Sequence, residues 1–166
     1  LKQACDILSI AIQRVEDLEA LRKSEQMQAA INNAQSKFMV DHDPVLLFDA
    51  LLDVVIQLTE SEYGFVGEVL YTPDHQPYLK MHAITNISWN EETRKLYDEN
   101  APGGFEFSNL NTLFGAVMTS GQAVIANDPA SDPRRGGLPQ GHPPLNSFLG
   151  LPVHQNSDLI GMVGIA

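Results

Sequence analysis

The first forty residues contain neither proline nor glycine, and no other stretch of the chain constrains its fold as strongly. A segment of that length without the two residues that most often break helices can run as one long helix. Ala4, Leu8, Ala11, Val15 and Leu18 follow a four-three spacing, and so do Met27, Ile31, Ala34 and Phe38. Such spacing is the mark of a heptad seam. The two stripes fall out of step across residues 19–26, a polar run of Glu-Ala-Leu-Arg-Lys-Ser-Glu-Gln, which predicts a stutter or a junction between two helical units. For residues 1–18 a second helix is the natural cover, because an isolated helix persists only with tertiary or partner contacts. For Met27 to Phe38 a dimer seam and a face packed on the chain's own domain stay open alternatives.

Asp41-His42-Asp43-Pro44 ends this helix and starts another, with Asp43 as N-cap and Pro44 in the first helical position. Val45 to Leu58 is apolar around much of its circumference and predicts a largely buried helix. Tyr63–Leu70 and Tyr78–Ile84 read as strands joined by the turn chemistry of Thr72-Pro73-Asp74-His75. Asn90 to Asn100 is a short amphipathic helix, with Glu91–Lys95 and Arg94–Asp98 as surface pairs. Thr112 to Ser120 is another, with Gly121 at its C-terminal cap. Ala123–Ala126 is a short strand, a Pro/Gly-rich loop runs from Asn127 to about Pro144, and Phe148–Val153 with Leu159–Ala166 closes the sequence as a hairpin. Hairpins outnumber crossovers, so the expected fold is α+β, an antiparallel sheet flanked by helices and preceded by the long N-terminal helix.

Charge and composition exclude several functions. The net charge is −11, and no basic stripe exists to neutralise phosphates, so neither nucleic acid nor an anionic membrane surface is an expected partner. No apolar run is long enough for a membrane span, and no signal-peptide pattern opens the chain, which begins and ends abruptly and reads as a piece of a longer protein. A single cysteine, Cys5, excludes an internal disulfide and any multi-cysteine metal site, and a reducing cytoplasm is the expected compartment. The common catalytic and nucleotide motifs are absent, and the five histidines show no ligand spacing.

The informative region is 105–148. Phe105, Phe107, Leu110, Leu113, Phe114, Val117 and Phe148 surround the long loop. They form either the second half of the core or an apolar pocket with a few polar groups, such as Asn127, Asp128, Arg135 and His142. Arg134 and Arg135 are the last formal cations of the chain, preceded by Asp128 and Asp132 and followed by Gly136-Gly137. They either clamp the loop onto those aspartates or present an anion site on a glycine-rich turn. The clamp requires no unseen ligand; it is the expectation for Arg134, while Arg135 divides evenly between the two.

Residues 44–166 resemble a GAF domain, a sensory module of bacterial signalling proteins. The likeness rests on the buried helix leading to Glu62-Tyr63-Gly64-Phe65-Val66-Gly67, on Leu113-Phe114-Gly115-Ala116-Val117 running to Gly121-Gln122-Ala123-Val124-Ile125, and on Asn127-Asp128-Pro129. Its most specific part is Leu149-Gly150-Leu151-Pro152-Val153 with Gly161-Met162-Val163-Gly164. The stretch from Asp132 to Leu145 resembles a subset linked to histidine-kinase or diguanylate-cyclase outputs, and residues 1–43 resemble the helical connectors between such modules. The family's closing helix is missing from the sequence. The pocket region has no cysteine for a bilin, the Asn-Lys-x-Phe-Asp-Glu constellation of cyclic-nucleotide binders is absent, and the several cysteines of the methionine sulfoxide reductases are reduced to Cys5.

The resemblance implies a helical connector at 1–43 and a sensory domain at 44–166. It implies no catalytic residues, no metal and no identified cofactor, an unknown small molecule being the open possibility. The expected ligand contacts are Phe105, Phe107, Leu110, Phe114, Asn127, Asp128, Arg135, His142 and Phe148. The expected partners are a second copy of the chain, through the N-terminal helix, and covalently linked sensor and output domains. A ligand-free relay and dimerisation module is the alternative, and an enzyme with an unrecognised site a minor one.

Overall fold

The computed structural model describes residues 2–41, 44–85, 91, 95, 104–138, 142 and 144–166. The chain forms two compact units, Leu1–Leu47 and Phe48–Ala166. The first holds helix α1 (Lys2–Asp41), which runs unbroken through residues 19–26. The predicted junction is therefore not a break in the backbone. The polar run that shifts the stripe consists mostly of strong helix formers, so only the side-chain phase changes. Leu8, Val15 and Leu18 are 56–61% exposed along it.

Helix α2 (Pro44–Thr59) crosses from the first unit into the second. Six strands follow as one antiparallel sheet: β1 (Gly64–Tyr71), β2 (Pro77–Ile84), β3 (Glu106–Phe107), β4 (Val124–Ala126), β5 (Phe148–Gln155) and β6 (Asp158–Ile165), in the spatial order β3-β2-β1-β6-β5-β4. The closing hairpin pairs internally, Gly150 opposite Gly164 and Leu151 opposite Val163, and returns β6 to the centre of the sheet beside β1. Its turn places Asn156 in the left-handed region, at φ 56°, which asparagine tolerates better than most residues. Asp43 and most of the expected 90–100 helix lie outside the described residues, although Glu91 and Lys95 are helical. The two-residue strand β3 has no counterpart in the sequence reading.

Each face of the sheet is covered differently. On one, Leu52 of α2 is buried with Val66 and Ala83, flanked by Phe48, Ile56 and Val163. The register slips between Val66 and Gly67, leaving His82 of β2 as the extra residue. Its ring stacks on Phe48 at 4.7 Å, and its Nε2 lies 3.2 Å from Glu68 Oε2. The other face carries the larger core, where Leu79, Val117 and Met162 are fully buried.

Helix α3 (Leu113–Ser120) packs on that second face. Thr112 is its N-cap, the hydroxyl accepting from the Gly115 N–H at 3.0 Å and donating to the Asn109 carbonyl at 3.0 Å. Gly121 closes it in the left-handed conformation at φ 64°. The helix approaches the sheet closely because β5 offers Gly150 beneath it, where a Cβ would sit 2.6 Å from Val117 Cγ2.

Candidate functional site

The loop after β4 is built by two aspartates. Asp128 folds its first turn: Oδ1 accepts from the Ala130 N–H at 3.2 Å, Oδ2 accepts from Ser131 Oγ at 2.7 Å, and its carbonyl accepts from the Asp132 N–H at 3.1 Å. Asp132 holds the second turn, its Oδ1 accepting from the Arg134 N–H at 2.8 Å. The Arg134 guanidinium grips the same carboxylate through Nε at 2.9 Å and Nη2 at 2.7 Å, and Nη2 also donates to the Ile125 carbonyl at 3.0 Å. The arginine thus ties the loop back to edge strand β4, as the clamp expectation has it.

Arg134 holds the Asp132 carboxyl well below the usual carboxylate range, at about 2, chiefly through the side-chain hydrogen bonds and then through the backbone one. A carboxylate whose pKa falls on folding favours the folded loop at pH values above its unfolded pKa, roughly 3.9, and loses that contribution as pH falls toward the folded value. An NMR titration of the Asp132 side-chain carboxyl is expected to show a midpoint near 2. In Arg134→Ala the midpoint should return toward about 4. An unchanged midpoint in the variant would contradict the clamp.

Past the clamp, the loop meets the start of α3. A Cβ on Gly136 would lie 2.0 Å from the Asn111 carbonyl oxygen, so the two backbones touch at a place only glycine can occupy. Gly137 follows at φ 83°. The chain turning here roofs a cavity of about 570 Å³ between itself, α3 and the sheet. Phe105, Phe107, Phe114 and Phe148 supply its aromatic lining. Phe114 meets Phe107 edge-on at 5.9 Å and Phe65 edge-on at 6.5 Å, an arrangement that fixes these rings as walls. Arg135 and His142 also line it, as do Pro129, Ala130 and Leu138 from the loop. A recess of about 80 Å³ sharing Phe65, His142 and Phe148 holds no more than a few waters.

Of the residues expected from sequence to contact a ligand, Phe105, Phe107, Phe114, Arg135, His142 and Phe148 border the cavity. Leu110, Asn127 and Asp128 do not. Leu110 packs against the core, Asn127 is exposed, and the Asp128 carboxylate is occupied in its own turn. The sequence reading missed Met81, Ile84, Thr112 and the glycine pair as lining residues. Only Gly136-Gly137 left a legible signal, as the turn following two arginines. Among the described residues, no three His, Cys, Asp or Glu side chains are grouped to hold a metal ion, and no helix is long and apolar enough to cross a membrane.

The family model for the GAF domain matches residues 41–166, and the chain belongs to that family. GAF domains are typically sensory or regulatory modules. No curated protein matches the chain. Among solved structures it is similar to the GAF domain of a phosphoenolpyruvate-protein phosphotransferase from Coxiella burnetii, with TM-score 0.63 and 13% identity over 85% of this chain and 77% of that one. A GAF domain from A. aeolicus in an inactive state gives TM-score 0.57 and 11% identity, over 86% and 80% of the two chains. The free methionine-R-sulfoxide reductase from Neisseria meningitidis, in complex with its substrate, gives TM-score 0.57 and 10% identity over 84% and 71%. At these identities the likeness is one of fold; the fold hosts both regulatory modules and an enzyme.

Proposed function

We propose that this GAF domain is a non-catalytic sensor whose cavity binds a small molecule and whose helices pass the bound state to a kinase or cyclase output domain. The cavity carries the reading. At about 570 Å³ it falls within the usual range for ligand pockets, and it is lined mainly by apolar and aromatic side chains with few polar groups. Its roof is a loop held at discrete points, by Asp128, Arg134 and Gly136, so occupancy can change the order of one segment while the sheet stays fixed. The choice of output rests on the likeness of residues 132–145 to modules that precede such domains.

Nile red, a neutral apolar dye, tests the reading. It should bind one saturable site per chain and slow amide exchange in residues 127–138. The double substitution Ala130→Trp/Leu138→Trp places two indoles in the cavity lining and should abolish both effects. Dye binding without saturation, or saturation with unchanged exchange, would overturn the sensor reading.

The helix α1 supports a second element of the proposal, pairing with another copy of the chain. Leu8, Val15 and Leu18 present large apolar surface at heptad spacing, and each buried side chain contributes roughly 1.5–3 kcal/mol to association. Val15→Asp/Leu18→Asp is therefore expected to lower the molecular weight by light scattering while leaving the sheet domain folded. An unchanged molecular weight would reject the seam.

A further inference from the structure

We propose that the ligand is an organic anion with a flat apolar body, its charged group held at the cavity wall by Arg135. The inference rests on the reading of the cavity as a ligand site and adds the chemistry of what enters it. The apolar part follows from the walls, a run of phenylalanine rings in which Phe105 stacks on Phe107 at 6.1 Å and Phe107 meets Phe114 at 5.9 Å. Such rings take up another planar group through offset or edge-on contacts.

The charge follows from an inventory of the lining. Glu106 and Arg135 are the formally charged residues that border the cavity among those described. Phe105 and Phe107 belong to the core, so alternation along β3 turns the Glu106 carboxylate to the opposite face, where its register partner on β2 is Lys80. Arg134 is committed to Asp132 and Ile125. Arg135 stands apart: its backbone N–H donates to the Asp132 carbonyl at 3.0 Å, but its guanidinium has no hydrogen bond or ion pair among the described residues. Gly136 and Gly137 follow it as lining residues of the same cavity, and their backbone N–H groups have no hydrogen-bond partner among the described residues. A guanidinium and adjacent free amides on an apolar wall form a receptor for a carboxylate or similar anion. In a chain of net charge −11, the long-range field disfavours anions, so their selection needs such a local cation.

Two matched probes separate charge from shape: naphthalene-1-acetate and its neutral amide, naphthalene-1-acetamide, titrated calorimetrically into the full chain. The acid is expected to bind about tenfold tighter, the increment of one charge-assisted hydrogen-bond set. Arg135→Ala should erase that difference and leave amide binding unchanged, while Arg135→Lys retains part of it. The NMR midpoint of Asp132, unaltered in both variants, confirms that the loop is intact. If acid and amide bind the full chain equally, or if the difference survives Arg135→Ala, the anion inference fails and the sensor reading stands. If neither probe binds, the anion inference fails, and the Nile red titration decides the sensor reading.

Discussion

Gly115→Ala is expected to destabilise the sheet domain by about 2 kcal/mol, although alanine is the better helix former. Two effects oppose each other at this position inside α3. Propensity favours alanine by about 1 kcal/mol. Packing opposes it, because the added Cβ would lie 2.1 Å from the Leu110 carbonyl oxygen and 2.4 Å from its carbon. Backbone atoms cannot rotate out of the way as a side-chain tip can. The helix must therefore lift from the 108–111 segment, and overpacking of this kind costs roughly 1–3 kcal/mol, occasionally more. The same shift disturbs the Thr112 cap, whose hydroxyl bonds the Gly115 N–H. The urea midpoint checks the sign: a stabilised variant would mean that propensity wins and that this contact relaxes freely.

Met162→Ala is the second large effect, an expected loss of about 2–5 kcal/mol. Met162 has no exposed surface and sits on β6, between β1 and β5, within the larger core. Truncation removes the buried side chain and leaves a void that a central strand, bonded on both edges, cannot close. Ile125→Ala is the matched control. That side chain lies on edge strand β4 and is 63% exposed, so its removal should change stability by no more than about 0.5 kcal/mol. Equal urea midpoints for the two variants would contradict the assignment of the core.

The elements that carried local signals were legible in the sequence. The strands of both hairpins fall within one or two residues of their apolar runs, and α3 begins one residue after the expected Thr112, which serves as its N-cap, and closes on Gly121, the expected C-terminal cap. Strand β3 was hidden because two residues give no periodicity and its pairing to Leu79 and Lys80 is a long-range contact. The bulge at His82 was equally silent, since one inserted residue leaves an apolar strand apolar. The site was legible by chemistry more than by position. Aromatic residues grouped around a long loop pointed to the cavity wall, and two arginines beside two aspartates pointed to the clamp. Asn127 and Asp128 misled because a polar residue at a strand end serves a turn as readily as a ligand, and Asp128 serves the turn. The division of labour between Arg134 and Arg135 depends on the fold of the turn, which brings the Arg134 guanidinium back to Ile125 and leaves Arg135 as an exposed residue at the border of the cavity.

The location of a bound molecule tests the sensor reading most directly. Isotope-filtered NMR on the labelled chain with naphthalene-1-acetate reports which protein protons lie beside the naphthyl ring. Contacts are expected to the rings of Phe105, Phe114 and Phe148 and to the methyl groups of Leu138, residues that border the one cavity. Contacts confined to the exposed apolar side chains of α1, such as Leu8 and Val15, or no contacts at all, would show that the cavity is not the ligand site.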